Sequence, residues 1–396
     1  MFDARSGDRR PSGRRWKTAA LAILALPLLA CQRAPANAEA PVNAEAPPTA
    51  GESHGYRVVT LVEGLERPWA MAFLPDGDIL VTERPGRLRV VRNGALVEQA
   101  VAGVPAVRAT GQGGLLDVVI HPDFATNRLV YLSYSKPGPN GATTAVSRGR
   151  FENDRLTGVE EIFEARAWSE AGQHFGSRLV FDRQGYLYIT VGDRGSMNRS
   201  QDRSDHAGSI LRLHDDGRVP QDNPFVGQSG VLPEIYSYGH RNAQGMALHP
   251  ETGRVWLNEH GPRGGDEINI VHAGRNYGWP VITHGRNYDG SQITADTARA
   301  GMESPLLHWT PSIAPSGMTF YTGSAFPNWR NSVFSGALVG QHLRRTAFDG
   351  TRAVTEESLL TDFNRRIRDV REGPDGFIYL LVDEASAPLV RLEPAG

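Results

Sequence analysis

One pattern that repeats six times along the chain constrains the fold more than any other feature. Each copy is a short alternating strand, a turn with Pro, Asp or Gly, and a second strand rich in β-branched and aromatic residues. The six strand pairs are Trp69–Phe73 with Ile79–Val81, Leu115–Ile120 with Leu129–Tyr134, Arg178–Phe181 with Tyr186–Val191, Gly245–His249 with Val255–Glu259, Gly317–Tyr321 with Val333–Val339, and Ile367–Arg371 with Phe377–Val382. No such unit can bury both its faces alone. The repeat therefore predicts an all-β, six-bladed β-propeller with four-stranded antiparallel blades.

A β-sandwich, or two smaller β domains, would also be built from alternating strands. No linker-like composition interrupts residues 56–394, however, and this favours one closed ring. In a propeller, loops and inner strands of several blades meet at the mouth of the central channel. We therefore expect the residues of a functional site to lie far apart in the sequence.

The first 31 residues predict a lipoprotein signal peptide. A basic segment precedes an apolar stretch, 19–30, that is too short to span a bilayer as a stable helix. The stretch ends in Leu-Leu-Ala-Cys, which resembles a lipobox, so Cys31 is the expected lipidated residue. An ordinary secretory cleavage site with an incidental cysteine is the alternative. Because Gln32 rather than Asp follows, we expect a periplasmic protein held by a lipid anchor in the outer membrane.

Composition separates the rest of the chain into two parts and excludes one class of partner. Residues 32–55 are rich in Ala, Pro and Glu and predict a disordered tether, whereas 56–396 form the predicted propeller domain. The chain carries 42 basic and 44 acidic residues, with no basic run after the N-terminus, so we expect no nucleic-acid partner. Only two of the basic residues are lysines, so arginine must neutralise any anionic ligand.

Several loop segments combine polar residues with Gly and Pro, and each has an ordinary structural explanation when taken alone. A single loop histidine such as His174 is usually structural. The acidic pair Asp266 and Glu267 is usually a solvated turn, and Arg366 with Arg368 would be solvated arginines. These residues occur together with Gly111–Gly114, so the set predicts a site.

The longest motifs, Gly239–Gly245, Glu259–Asn269 and Asn276–Pro280, resemble the soluble quinoprotein glucose and aldose sugar dehydrogenases. The resemblance extends over about residues 56–394 and includes His121–Phe124 and Arg366–Val370. It implies a six-bladed propeller that holds pyrroloquinoline quinone (PQQ) over a calcium ion (Ca²⁺) at the channel mouth. It also implies oxidation of aldose sugars at C1 to lactones. With no Cys-x-x-Cys-His haem motif in the chain, electrons must leave to a separate acceptor.

The resemblance also assigns roles to individual residues. His174 matches the general base that takes the C1 hydroxyl proton, and Arg241 matches the cation that stabilises charge on the quinone oxygen, with Asn242 beside it. The further cofactor-binding positions that it implies are Gln112, His260, Ser312, Arg366 and Arg368. The metal positions that it implies are the carbonyls of Gly261 and Pro262 for the cofactor calcium, and Glu267 with the carbonyl of Tyr277 for a second, structural calcium.

The chemistry of such a site agrees with these residue types. PQQ is flat and carries three carboxylates, which suit the planar fork of arginine. Arg366 and Arg368 are two apart on one predicted strand and should share a face. A fixed cation such as Arg241 stabilises negative charge as it develops, and calcium acts as a Lewis acid. Tight turns such as Gly261-Pro262 expose the carbonyl oxygens that calcium prefers.

The chain departs from the family pattern at three places. The glucose enzymes have an aspartate before the catalytic histidine, where this chain has Gln173. They also have a lysine near the quinone carboxylates, whereas residues 335–341 contain none, which leaves Arg344 or Arg345 as its substitute. The long insertions before the fifth blade are missing as well. We therefore expect an open mouth and broad use of aldoses.

Two other functions fit a propeller of this size. A calcium-dependent lactonase or related hydrolase would bind its metal through axial carboxylate and amide side chains, whereas the calcium candidates here are mainly backbone carbonyls. A non-catalytic binding propeller of the cell envelope would explain the lipid anchor. It would not explain why His174, Arg241, Arg366 and Arg368 occur together.

Overall fold

The computed structural model describes residues 55–395. The predicted signal peptide, Cys31 and residues 32–54 of the predicted tether lie outside this range. Within it, no helix is long and apolar enough to cross a bilayer.

Six separate four-stranded antiparallel sheets make up the fold. Blade 1 contains β2 (Pro68–Phe73), β3 (Ile79–Glu83), β4 (Arg87–Arg92) and β5 (Ala95–Leu96). Blade 2 contains β6 (Leu115–Ile120), β7 (Leu129–Gly138), β8 (Gly141–Glu152) and β9 (Arg155–Glu164). Blade 3 contains β10 (Leu179–Phe181), β11 (Leu187–Val191), β12 (Ser209–Leu213) and β13 (Ile235–Tyr238).

The second half of the chain repeats this order. Blade 4 contains β14 (Ala243–Leu248), β15 (Val255–Glu259), β16 (Asp266–Ile270) and β17 (Leu307–Trp309). Blade 5 contains β18 (Pro315–Phe320), β19 (Val333–Ala337), β20 (Leu343–Asp349) and β21 (Arg352–Leu359). Blade 6 contains β22 (Ile367–Glu372), β23 (Ile378–Val382), β24 (Ala387–Pro394) and β1 (Tyr56–Leu65). The connections include one short helix, α1 (Phe124–Asn127), and two 3-10 turns, Met197–Gln201 and Pro327–Trp329.

The blades form a closed ring, as predicted. The first strands of neighbouring blades contact each other in the order β2, β6, β10, β14, β18, β22 and back to β2. The ring is closed by β1, which pairs antiparallel with β24 from Tyr56 opposite Pro394 to Leu65 opposite Ala387. The earliest strand of the domain thus completes the last blade, so the edge of that sheet is paired rather than open.

Burial follows from this arrangement. The second strand of a blade lies inside its sheet with neighbouring blades on both faces, and β3, β11, β15, β19 and β23 are buried at every position. Such strands read as continuous apolar runs. Most of the apolar core lies between adjacent blades, for example where Trp69 and Leu80 of blade 1 pack in one cluster with Leu115 and Val130 of blade 2.

Charged residues fill part of the channel that the inner strands surround. The guanidinium of Arg178, directly before β10, lies 3.1 Å from Asp117 of β6 and 3.1 Å from Asp369 of β22. Arg371, also on β22, lies 3.1 Å from each of the same two carboxylates. The Arg178 guanidinium also stacks on the ring of Trp69 at 4.3 Å. These four charged residues, the axial network, connect blades 2, 3 and 6.

Candidate active site

All six blades contribute to one cavity of about 270 Å³. The residues lining it include Trp69, Arg84, Gln112, Leu116, Phe175, Gly176, Gln244, His260, Tyr288, Ala314, Leu338, Val339, Arg366, Arg368 and Asp383. Many of them lie just before a first strand or just after a second strand. Because these two strands are antiparallel, both positions fall at the same edge of every blade. The topology therefore brings distant segments together at one end of the ring.

Three guanidinium groups and one carboxylate carry the charge of this cavity. Arg366 and Arg368 share the carboxylate of Asp383, at 3.2 and 2.9 Å, so they lie on one side as predicted. Burial acts to raise the pKa of Asp383, but Arg368 and Arg366 outweigh it and the pKa falls well below the usual range. The buried Nε of Arg368 has no hydrogen-bond partner. With Arg84 as the third cation, the cavity has an excess of positive charge and an unused donor.

Arg84 was not predicted as a site residue. It follows β3, and its guanidinium donates to the carbonyls of Gly111 and Gly113, which flank Gln112. Burial and the neighbouring charge of Arg368 lower its pKa. The predicted substitutes for the missing lysine lie elsewhere: Arg345 pairs with Glu357, and Arg344 faces Glu356 at 4.0 Å. Neither lines the cavity, because both lie on β20, the third strand of blade 5.

His174 forms a buried pair with Asp193 beside this cavity. Its Nδ1 lies 2.6 Å from Asp193 Oδ1, while Asp193 Oδ2 accepts a hydrogen bond from Trp279 Nε1 at 2.9 Å. Burial acts to raise the pKa of Asp193, but its bond to His174 and the charges of His174 and Arg241 lower it. An ionised carboxylate can only accept, so His174 donates through Nδ1 and keeps the Nε2 lone pair free. Asp193 thus supplies the carboxylate that Gln173 does not.

The backbone around His174 is held in an uncommon conformation. His174 has φ of +54°, in the left-handed region that non-glycine residues rarely adopt. Its N–H donates to Gln112 Oε1 at 2.8 Å. Buried Arg194 donates to the carbonyls of Gln173, Ala171 and Ala142, and its guanidinium lies 3.5 Å from the centre of the Phe175 ring. Burial, with a smaller contribution from Arg199, lowers the Arg194 pKa to about 10. These contacts fix the loop that carries the imidazole.

Arg241 and Asn242 precede β14 and are buried. The Arg241 N–H donates to Glu259 Oε2 at 2.7 Å, and its Nη1 donates to the carbonyls of His260 and Gly261 at 3.1 and 3.0 Å. Asn242 Oδ1 accepts from the N–H of Gly176, whereas its buried Nδ2 has no partner. The Arg241 guanidinium and the unpartnered amide nitrogen of Asn242 thus belong to consecutive residues of this loop.

His260 lines the cavity, but Ser312 does not. Burial, with the charges of Arg241 and His174, lowers the pKa of His260 to about 3, so its ring is neutral and its Nε2 donates to Pro315 O at 2.7 Å. The hydroxyl of Ser312 instead donates to the carboxylate of Asp266, with both oxygens at 2.9 Å. Its hydroxyl caps the acidic turn, and the cofactor contact that the resemblance implies for Ser312 stays a prediction.

A second, smaller cavity borders that acidic turn, and its lining includes Glu259, Gly261, Glu267 and Tyr277. Glu259 and Glu267 approach the same amide, Asn269 Nδ2, at 3.3 and 3.0 Å. Burial raises the pKa of Glu267, and the nearby charge of Glu259 raises it further. Two carboxylates facing one cavity favour a cation between them. Among the described residues no group of three or more His, Cys, Asp or Glu side chains could hold a metal ion, so carbonyl oxygens would have to complete any such site.

Comparison with protein families gives an independent result. The model described as "Glucose / Sorbosone dehydrogenase" matches residues 65–391, which is most of the propeller. The chain belongs to the glucose/sorbosone dehydrogenase family. Membership confirms the resemblance drawn from the motifs and gives no support to the lactonase or hydrolase alternative.

Individual relatives in the family are similar over most of their length. The Aldose sugar dehydrogenase YliI of Escherichia coli is 46% identical over 343 residues, covering 85% of this chain and 92% of that protein. The apo-form crystal structure of the soluble aldose sugar dehydrogenase of E. coli has a TM-score of 0.84 at 46% identity, covering 86% and 99%. The PQQ-bound form of the Streptomyces coelicolor aldose sugar dehydrogenase has a TM-score of 0.71 at 28% identity, covering 88% and 99%.

Proposed function

We propose that this protein oxidises aldose sugars at C1 to lactones with PQQ and calcium as cofactors, and passes the electrons to a separate acceptor. The proposal is supported by membership in the glucose/sorbosone dehydrogenase family and by the aldose sugar dehydrogenases that resemble this chain. The observation that carries it is the pairing of His174 with Asp193 beside a cavity lined by three arginines. A base and an anion-binding pocket together suit proton removal coupled to reduction of an anionic cofactor.

The positive charge and the aromatic lining of the cavity both suit PQQ. Arg84, Arg366 and Arg368 would neutralise its carboxylates, and the unpartnered Nε of Arg368 is a donor that a polar ligand would satisfy. The rings of Trp69 and Phe175 offer apolar surface to a flat molecule. When bound there, PQQ supplies an electrophilic quinone that accepts the two electrons leaving the sugar.

The residues of this chain would carry the proton chemistry. His174 Nε2, the unpaired ring nitrogen, would accept the proton of the C1 hydroxyl. Asp193 would hold the imidazole in that tautomer and stabilise its positive charge after the transfer. Arg241 would place a fixed positive charge at the same end of the channel, where it would stabilise developing negative charge without reorganisation.

The calcium part of the proposal rests on the oxygens around the acidic turn. The Gly261 carbonyl accepts one hydrogen bond from the Arg241 guanidinium at 3.0 Å and has a second lone pair that a metal ion could use. Glu267 and Glu259 border the adjacent cavity. Carbonyl and carboxylate oxygens are the ligands that calcium prefers. Gly261 and Pro262 would hold the cofactor calcium, and Glu267 with the carbonyl of Tyr277 would hold the structural one.

Sugar oxidation is expected to require both cofactors. Metal-free, PQQ-free protein should be inactive with D-glucose, D-xylose and other aldoses in the presence of an artificial electron acceptor. Adding PQQ and calcium together should restore turnover, whereas either one alone should not, because the arginines and the carbonyl turn hold different cofactors. Full activity after exhaustive chelation and without quinone absorbance would contradict the proposal.

Matched arginine variants test the cofactor site within the same experiment. Arg368→Gln removes a cavity guanidinium and should weaken PQQ binding roughly 10- to 100-fold, the loss expected for a charged hydrogen bond. Arg365→Gln removes a neighbouring arginine that does not line the cavity and should bind PQQ as the wild type does. Equal PQQ affinity in the two variants would place the cofactor elsewhere.

We also propose that the mature protein is periplasmic and anchored to the outer membrane through a lipid on Cys31. The support is the sequence alone, in which the basic segment, the apolar stretch and the lipobox occur in order. Wild-type protein should incorporate labelled fatty acid and fractionate with membranes, and Cys31→Ser should do neither. A Cys31→Ser protein that is still processed and bound to membranes would disprove the anchor.

A further inference from the structure

Tyr288 lies at the tip of a turn that is closed by its own hydrogen bonds. The turn belongs to the long connection between β16 and β17 in blade 4. The N–H of Asn287 donates to Ser291 O, the N–H of Gly290 donates to Asn287 O, and the N–H of Ser291 donates to Asp289 Oδ1, at 2.8 to 2.9 Å. None of these bonds uses the phenol ring. The fold of the turn therefore does not depend on the side chain that it presents.

Tyr288 is 72% exposed, yet it lines the main cavity. Its hydroxyl accepts a hydrogen bond from Arg241 Nη2 at 3.4 Å. Most of the ring is still in contact with water. A molecule that enters the cavity and packs against the ring would therefore bury apolar surface, which favours binding.

A second exposed apolar side chain lines the same cavity from blade 5. Val339 is 64% exposed and follows β19 in the stretch where the family pattern has a lysine. Only six large hydrophobic residues are exposed in the part of the chain that the structure describes, and these two are the most exposed of them. The two most exposed of these side chains thus lie at the mouth of the same cavity. We call Tyr288 and Val339 the apolar rim.

We propose that Tyr288 is a specificity-determining residue whose ring packs on the C–H face of the sugar. The inference rests on the proposed function and deepens it. The three cavity arginines, which would hold the cofactor carboxylates, lie on blades 1 and 6, whereas Tyr288 is on blade 4, beside Arg241 and open to solvent. The sugar enters after the cofactor is bound. It would therefore contact the most exposed large hydrophobic residue of the cavity lining, which is Tyr288. In pyranoses whose hydroxyls are all equatorial, no axial hydroxyl interrupts either C–H face, so D-glucose and D-xylose can pack on this ring.

The prediction concerns binding more than chemistry. Tyr288→Ala should raise KM for D-xylose roughly 10-fold and leave kcat within about twofold, because a contact made equally before and during the reaction changes KM alone. Tyr288→Phe keeps the ring and should stay within about twofold of the wild type in both constants. Val354→Ala, which truncates an exposed apolar residue on the outer strand β21, is the matched control and should change neither.

A sugar that cannot react separates this inference from the proposed function. 1,5-Anhydro-D-glucitol has the glucose ring but no C1 hydroxyl, so calorimetric titration of the PQQ-loaded, calcium-loaded protein measures binding without turnover. Its Kd should rise roughly 10-fold in Tyr288→Ala and stay unchanged in Tyr288→Phe. Wild-type protein that binds this analogue but oxidises no aldose would disprove the proposed function and leave the role of Tyr288 intact.

Two results would overturn the role of Tyr288. If Tyr288→Ala leaves both KM and the analogue Kd unchanged, the ring does not contact the sugar. If it weakens PQQ binding instead, measured from the quinone absorbance, the ring packs on the cofactor.

Discussion

His174→Gln is expected to lose roughly 100- to 10,000-fold in turnover, the range typical of removing a positioned general base. Glutamine retains an N–H that can donate to Asp193, but it has no basic nitrogen to accept the sugar proton. PQQ affinity should stay close to that of the wild type, because the cavity charge comes from Arg84, Arg366 and Arg368. The measurement is steady-state turnover at saturating PQQ and calcium, together with a separate PQQ titration.

The pH profile makes this assignment more specific. Burial lowers the pKa of His174, Asp193 raises it, and Arg241 lowers it, with a net result below the ordinary histidine value. A base with a lowered pKa stays unprotonated to lower pH. Wild-type turnover should therefore begin to decline only at a pH below about 6.5, the ordinary pKa of histidine. That limb should be missing from any residual activity of His174→Gln. A variant that keeps more than about a tenth of wild-type turnover would show that another group takes the proton.

Arg241→Ala serves as a contrast. Its guanidinium contacts the carbonyls of His260 and of Gly261, a proposed calcium ligand, so its loss should weaken cofactor binding as well as turnover. A pure loss of turnover in one variant and a mixed loss in the other would separate the base from the electrostatic residue.

The first two strands of every blade could be predicted, and the outer strands could not, for a physical reason. The inner strands are buried on both faces and carry continuous apolar runs, such as the five buried residues of β11. The outer strands face solvent: β9 and β21 are mostly exposed or half-buried, and β5 has only two residues. Nothing in the composition of Tyr56–Leu65 shows that it pairs with the last strand of the domain, because that contact depends on closure of the ring.

The site residues that belong to sequence motifs could be predicted. Single charged residues outside those motifs were missed. Gln112, His260, Arg366 and Arg368 were predicted and line one cavity. Asp193, Asp383 and Arg84 were missed, although each lies one or two residues after the second strand of its blade. In an antiparallel blade this position is at the same edge as the start of the first strand, so a polar residue there faces the mouth. That rule could have identified all three.

The axial network gives the largest expected effect on stability. Asp117 is fully buried, and its Oδ1 lies 3.1 Å from both Arg178 and Arg371, while its Oδ2 accepts the N–H of Leu179 at 2.7 Å. Burial raises the pKa of Asp117, and the two arginines oppose that shift. Replacing the network as a whole with apolar residues could be tolerated, but removing one charge leaves the opposite charges buried without compensation.

Asp117→Asn is therefore expected to reduce the free energy of unfolding by about 3–5 kcal/mol, the cost typical of breaking a buried ion pair. The change is nearly isosteric, so the loss would come from charge: Arg178 and Arg371 would then share only Asp369, and an amide N–H cannot accept from a guanidinium. Asp296→Asn, in the solvent-exposed pair with Arg299, is the matched control and should cost about 1 kcal/mol or less. Urea unfolding followed by tryptophan fluorescence measures both.

Because the network links the inner strands of blades 2, 3 and 6, the loss should appear as a lower midpoint of one cooperative transition. Equal midpoints for Asp117→Asn and Asp296→Asn would mean that the ring is held by its apolar interfaces and not by the charges at its axis.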